Sequence, residues 1–217
     1  MIRPFGFAEF TTILLATQFT LLLSLIALIG GGIGGMAVAL LRTGSWGMGR
    51  RLAASYIVVF QGTPLLMQLA LVFFGANVVG YDINVWLAAA LGLTLHASAY
   101  LGGIWRGSIE AVPRGQVEAS KALGLTYVTA MTYVVLPQAF KIALPPTVGF
   151  IVQLIKSTSV TALIGFVELT RTGQIINNAT FRPFLVFGIV SCIYFTLCWP
   201  LSLLSARLER KLSPAVR

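Results

Sequence analysis

Charge is scarce in these 217 residues: 10% are Asp, Glu, Lys or Arg, and only six are acidic. A soluble domain carries about 25% charged residues. A chain that is 57% hydrophobic therefore reads as an integral membrane protein. Its net charge of +9 raises nucleic acid as a partner, but in a membrane protein Lys and Arg belong to cytoplasmic loops, and nucleic-acid binding is set aside. There is one histidine, His96, which reads as a hydrogen-bonded helix residue. No HExxH, GxSxG or His/acid cluster is present, which argues against an intramembrane enzyme and leaves neither a catalytic residue nor a metal site to name. The phosphate loop GxxxxGK[ST] is also missing, so any ATP must be handled by another polypeptide. The only cysteines, Cys192 and Cys198, sit in one apolar run. Helical geometry separates them by about 9 Å along the axis, too far for a disulfide. No internal repeat, low-complexity run or soluble domain is visible.

What remains is apolar runs. A span needs about 20 mostly apolar residues, and five segments qualify: residues 12–41, 52–79, 85–105, 143–166 and 184–207. The first, beginning after Phe10, is far longer than the roughly 7–15 residues of a cleavable signal segment and is expected to remain as a span. The first two are longer than a bilayer requires, so tilt or kinks are expected. Eleven of the fifteen basic residues fall on one side: Arg42, Arg50 and Arg51 after span one; Arg106, Arg114, Lys121 and Lys141 after span three; Arg207, Arg210, Lys211 and Arg217 after span five. Arg3, Arg171 and Arg182 fall on the other, and Lys156 lies within a span. The positive-inside bias puts the N-terminus outside and the C-terminus in the cytoplasm. Five spans without an inverted repeat make a poor complete transporter, so the chain is expected to be half of a pore and to pair with itself or a close relative.

On the cytoplasmic side lies EASKALGLTYVTAMTYVVLPQAFKIALPP, from Glu118 to Pro146. Residues 118–123 are good helix formers, and Gly124 can stop the turn in a left-handed conformation. A second helical stretch is expected over 126–136, ending before Pro137. Ala119, Ser120 and Ala122 are small, which lets a partner approach the backbone. Spacing alone leaves two readings open: a short helix docking into a groove on a soluble partner, or an interfacial helix resting on headgroups.

Glu118-Ala119-Ser120, then Gly124, then Leu136-Pro137, resembles the cytoplasmic signature loop of ABC-importer permeases. The wider match, to bacterial polar amino-acid permeases, includes QGTPLLMQ at 61–68, WRGSIEAVPRGQVEASKALG at 105–124, LPQAFKIALPP at 136–146 and LIKSTSV at 154–160. These motifs stand in family order over about residues 10–212. The resemblance implies a single permease domain over 1–217, all-α and integral to the bacterial cytoplasmic (inner) membrane, with five transmembrane helices and a coupling helix in the cytoplasmic loop between spans three and four. It implies a second permease subunit, two cytoplasmic ABC ATPase subunits that carry ATP and Mg, and an extracytoplasmic solute-binding protein delivering an amino acid. This chain would bind no cofactor. Gln116, Glu118, Ala119, Ser120, Ala122, Leu123 and Gly124 would form the ATPase-docking surface. The rival is a secondary transporter driven by an ion gradient, which would need coupling-ion carboxylates inside spans, where the chain places almost none of its acids.

Polar groups within spans are costly and usually face a partner or cavity. Pro64 removes a helical donor and disfavours α geometry at Thr63, freeing carbonyls near Phe60 and Gln61; Gln61 and Gln68, two turns apart, would share a face where the kink permits it. Gln153, Lys156 and Ser157 share another, with Thr158 and Ser159 nearby. Each set is expected along the substrate path, against the alternatives of a packing kink with bonded amides and of a lysine reaching an interface or carbonyls. Four residues depart from the family pattern: Gln61 stands for a common Arg, Gly103 for an acid, Gly149 for an Asn, and Ser157 for an Asp. The first two suggest an ion pair lost as a unit, since losing one member would strand a buried charge. Ser157 leaves the Lys156 region electropositive, favouring a neutral or acidic substrate over a cationic one. The glycines at 30, 31, 34 and 35 form small-xxx-small pairs, for a tight intrachain seam or for a moving or dimer surface. Tyr81-Asp82 and 168–182 are expected outside, as solvated loop or binding-protein contact.

Overall fold

Free of proline from Phe7 to Thr43, the first apolar run winds into one 37-residue helix, α1. At 1.5 Å per residue it is about 55 Å long, well beyond a hydrocarbon core of about 30 Å. The computed structural model describes residues 4–44 and 46–212 and is helical throughout, with no strand among the described residues. Arg3 and Arg217, both used in the topology argument, lie outside them. Helices α2 (Gly47–Gly62), α3 (Leu65–Val78), α4 (Val85–Glu110), α5 (Arg114–Ala122), α6 (Tyr127–Ala130), α7 (Leu136–Ser157), α8 (Leu169–Thr180) and α9 (Pro183–Leu212) follow. Four helical stretches are long and apolar enough to cross a membrane: Phe7–Thr43, Val85–Glu110, Tyr127–Ile164 and Pro183–Leu212. The α2–α3 pair, bent by 104°, passes the same test only when its two helices are taken together, as a broken span or a re-entrant loop.

The glycine seam is intrachain. A β-carbon on Gly31 would lie 2.5 Å from that of Ala97, and one on Gly35 would lie 2.9 Å from that of Leu101. The constant offset between partners means that α1 and α4 run parallel, close enough that only hydrogen fits at those positions. Leu23, Ala27, Leu93, Ala97 and Leu101 are fully buried around this seam, and Leu69, Phe150 and Leu154 join them from α3 and α7. In contrast α7 and α9 are antiparallel, with Ile155 beside Cys198 at one level and Ser205 Oγ donating to the Pro145 carbonyl at another, 2.9 Å away. The C-terminal ends of α1, α4 and α9 and the start of α7 thus gather at one end of the molecule, with most of the basic side chains.

Two sequence expectations need correction. Pro137 does not end a helix: the path runs continuously from Tyr127 to Ile164. Proline lacks an N–H and its ring collides with the carbonyl four residues back. The chain relieves this by forming a π turn over Met131–Val135, where Leu136 N–H reaches the Met131 carbonyl; the extra residue per turn makes the room. The helix that carries the fourth span therefore begins well before 143. Likewise, 168–182 is not a solvated loop. It is mostly α8, an amphipathic helix that buries Leu169, Thr172, Gly173, Ile176 and Thr180. Glu168 caps it and is itself 0% exposed.

Candidate functional site

Helix α5 starts after Pro113 and is amphipathic. Val117 and Ser120, one turn apart, share its inward face, beside the cluster of Val112, Val135 and Ala139. Ser120, expected on the docking surface, is instead 2% exposed and donates its hydroxyl to the Val117 carbonyl at 2.7 Å. The other six residues of that set, Gln116, Glu118, Ala119, Ala122, Leu123 and Gly124, are exposed. Gly124 has φ +72°. Its N–H bonds the Lys121 carbonyl (2.9 Å) and the N–H of Leu125 bonds that of Ser120 (3.1 Å), the paired bonds of a Schellman stop. Thr126 then caps α6 by accepting from the Thr129 N–H at 3.3 Å. The turn between the helices is thus fully specified, and it holds Leu123, Tyr127, Val128 and Tyr133 largely exposed. Exposed apolar side chains thus stand near the small Ala119 and Ala122 at this turn.

At the α2–α3 break the four residues are split. Gln61, Thr63 and Pro64 are exposed, whereas Gln68 is buried. The 104° bend rotates Gln68 away from the face it would share with Gln61 on a straight helix. Its amide closes the break: Nε2 donates to the carbonyls of Phe60 (2.7 Å) and Thr63 (3.0 Å) and to Thr63 Oγ1 (3.0 Å). Its Oε1 pairs with His96 Nδ1 at 3.0 Å, which fixes that nitrogen as the donor. His96 is hydrogen-bonded, as expected. Its ring lies 4.6 Å from that of Tyr100, which stacks on Phe150 at 5.6 Å. Gln61 Nε2 reaches the Ala99 carbonyl at 3.4 Å and lies 3.0 Å from where a β-carbon of residue 103 would be. The two positions at which the sequence suggests a lost ion pair are therefore adjacent in space.

In the other set Gln153 and Lys156 are exposed on one face of α7, Ser157 and Ser159 are half-buried, and Thr158 is 0% exposed. Thr158, expected near that face, opens a 3₁₀ turn and lies two residues past Lys156, away from its face; its hydroxyl donates to the Ile155 carbonyl at 2.7 Å. Lys156 has no carboxylate within ion-pair distance among the described residues, where the ion pair is Arg106–Glu110 at 2.8 Å. Helix α3 packs against the 158–164 turn, so the two polar sets belong to neighbouring elements, although no hydrogen bond among the described residues joins them.

One cluster escaped the sequence. Glu168 accepts from the N–H groups of Thr170 and Arg171 (2.9 Å each) and the hydroxyls of Tyr194 (2.9 Å) and Thr20 (3.3 Å), tying α8 to α1 and α9. Burial pushes its carboxyl above the usual range, and these four donors oppose that rise. The available signals were an acid directly after an apolar run and the amphipathic period of 169–180.

The profile of the binding-protein-dependent transport system inner membrane component family matches residues 31–214. The chain belongs to this family. It is a multi-pass bacterial inner-membrane permease, a transport subunit by descent. Its similar relatives include the probable amino-acid ABC transporter permease protein YckA of Bacillus subtilis, 32% identical over 203 residues, 94% of this chain and 90% of the relative. The probable amino-acid ABC transporter permease protein PatM of Vibrio harveyi is 37% identical over 168 residues, 76% of this chain and 75% of the relative. A crystal structure of an amino acid ABC transporter with histidines superposes with a TM-score of 0.87 at 36% identity, covering 93% of this chain and 94% of that one. The MetNI methionine ABC transporter, at 18% identity and TM-score 0.80 over 97% of this chain and 100% of that one, shares the fold.

Proposed function

We propose that this permease, acting as one domain over 1–217, forms half of the translocation path of an ATP-driven importer of polar amino acids. Its partners are a second permease subunit, two cytoplasmic ABC ATPase subunits and an extracytoplasmic solute-binding protein. The relatives and the 36%-identical structure carry amino-acid transport in their names, which supports the substrate class. The observation that carries the coupling role is the α5–Gly124 stop: a helix anchored by Val117 and Ser120 offers Glu118, Ala119, Ala122 and Leu123 outward in one fixed pose. The ends gathered beside it hold most of the basic residues, which supports a cytoplasmic position. An ATPase cleft gripping α5 would move the ends of α4 and α7 on either side of it, and so drive the path between its open states. Gln61, Thr63 and Pro64 at the break and Gln153, Lys156 and Ser157 on α7 line the path in this reading, and the exposed ammonium, with no carboxylate partner among the described residues, favours a neutral or acidic amino acid.

The test is Gly124→Leu in the assembled transporter. Open space surrounds the added β-carbon, so the substitution acts through its positive φ, at a cost of roughly 1–2 kcal/mol, by reshaping the stop. The expected result is normal membrane insertion, with ATP hydrolysis no longer stimulated by loaded binding protein and uptake lost. Wild-type uptake by this variant would remove the coupling role.

A further inference from the structure

A cavity of about 430 Å³ opens among the ends of α1 and α4, α5, and the π turn that follows α6. Its polar wall carries Arg42 and Arg50, and its apolar wall carries Ile109, Val117, Met131 and Val135. We infer that it binds the phosphate group of an anionic phospholipid from the inner leaflet.

Three observations converge. First, Arg42 is only partly used: Nη1 makes a long 3.4 Å bond to the Arg50 carbonyl, while Nε is buried and has no acceptor among the described residues. A buried donor left unpaired is expensive, and a phosphate oxygen is the acceptor that matches the planar fork of a guanidinium. Second, the lining acid does not neutralise the site. Glu110 also feels the charge of Arg42, but it is held bidentately by Arg106, at 2.8 and 2.9 Å, so the charges of Arg42 and Arg50 remain in excess and leave the cavity electropositive. Third, the π turn forms part of the wall, with Met131 and Val135 on the cavity side; such turns recur at functional sites. The apolar wall distinguishes a lipid from free phosphate, because it gives the glycerol and first acyl carbons a surface that an inorganic ion would leave bare. The position agrees, since α1 ends there and the basic residues gather there, where an anionic leaflet attracts each Lys or Arg. Since Val117 and the π turn also anchor α5, a bound headgroup would brace the coupling element from behind. The inference does not depend on which solute is carried.

The test uses the intact transporter, purified with its associated subunits and titrated with dioleoylphosphatidylglycerol, dioleoylphosphatidylcholine or inorganic phosphate, with bound lipid read by native mass spectrometry. The wild type should retain phosphatidylglycerol over phosphatidylcholine, and millimolar phosphate should not displace it. Arg50→Gln should weaken phosphatidylglycerol about fivefold and Arg42→Gln/Arg50→Gln about thirtyfold. Arg210→Gln, an equal charge loss elsewhere at the same end, should leave it unchanged. Should the double variant fail to assemble, the exposed Arg50→Gln decides alone. Equal retention by Arg50→Gln and wild type overturns the site. Full competition by phosphate overturns the lipid assignment. Unchanged lipid binding with loss of the ATPase subunit marks the cavity as a protein contact instead.

Discussion

Replacing Gln68 with Leu keeps a buried side chain of similar size in α3 and removes only its amide. That amide supplies three donor contacts to the break, to the carbonyls of Phe60 and Thr63 and to Thr63 Oγ1, and one acceptor contact to His96. Thr63 Oγ1 still has the Val59 carbonyl at 2.7 Å, so three partners lose their bond: two carbonyls and the His96 Nδ1–H. Side-chain bonds inside membrane proteins average about 0.6 kcal/mol, and those in water-soluble proteins about 1 kcal/mol. The expected loss is therefore about 2–3 kcal/mol. His96→Leu breaks one of the same bonds, so the two substitutions must overlap. The double variant should be more stable than additivity predicts by about 0.6–1.7 kcal/mol.

Reversible unfolding of the chain in bicelles, followed for the wild type, both single variants and the double variant, measures this coupling. A path-lining Gln68 would behave differently: substitution would change substrate affinity and spare the unfolding free energy. Strict additivity, or a Gln68→Leu protein as stable as the wild type, would refute the clasp.

Three further outcomes follow from the same geometry. Because residue 103 lies against Gln61, Gln61→Arg alone should reduce folded yield more than Gln61→Arg combined with Gly103→Glu; equal yields would dismiss the lost ion pair. Gly31→Ala puts a methyl group 2.5 Å from the β-carbon of Ala97, an overpacking of about 1–3 kcal/mol, and the thermal midpoint should fall and partly recover with Ala97→Gly. No recovery would mean the seam is not the cause. Glu168 titrates above its ordinary 4.5 because burial opposes the carboxylate. Folded protein then holds the proton more tightly than unfolded protein, so this group's contribution is complete below about pH 4.5 and fades as pH rises through the higher folded value. Glu168→Gln should flatten the melting profile over that interval, and profiles of identical slope would count against the assignment.

What the sequence made legible and what it hid divide along a physical line. Apolar length marks a span whatever surrounds it, and Gly124 ends a helix through its own backbone freedom, so spans and stop were both readable locally. The glycine seam was half readable, because spacing shows that a helix face is small but not which helix meets it. Gln68 illustrates what a linear view misses. Pro64 announces freed carbonyls, yet the group that satisfies them sits on the far side of the bend, and only the 104° turn brings its amide back to Phe60. Pro137 misled for a related reason. Proline strains an ordinary α turn, but anchoring Val135 and Ala139 against Val112 favours keeping the helix, and a π turn meets both demands.

Glu168 is the extreme case. Its partners Thr20 and Tyr194 lie 148 and 26 residues away in sequence, so the local signals around the acid do not reveal which groups satisfy it. A carboxylate with four donors and no cation beside it among the described residues holds α8 rigidly only while all four remain in place. Motion of α9 relative to α1 during transport would break it at the Tyr194 or Thr20 hydroxyl. The cluster therefore either moves as one block through the cycle or sets part of the barrier to opening that end. A disulfide-free test separates these: Tyr194→Phe removes one donor while keeping the ring, and it should leave uptake unchanged for a rigid block but accelerate it for a latch.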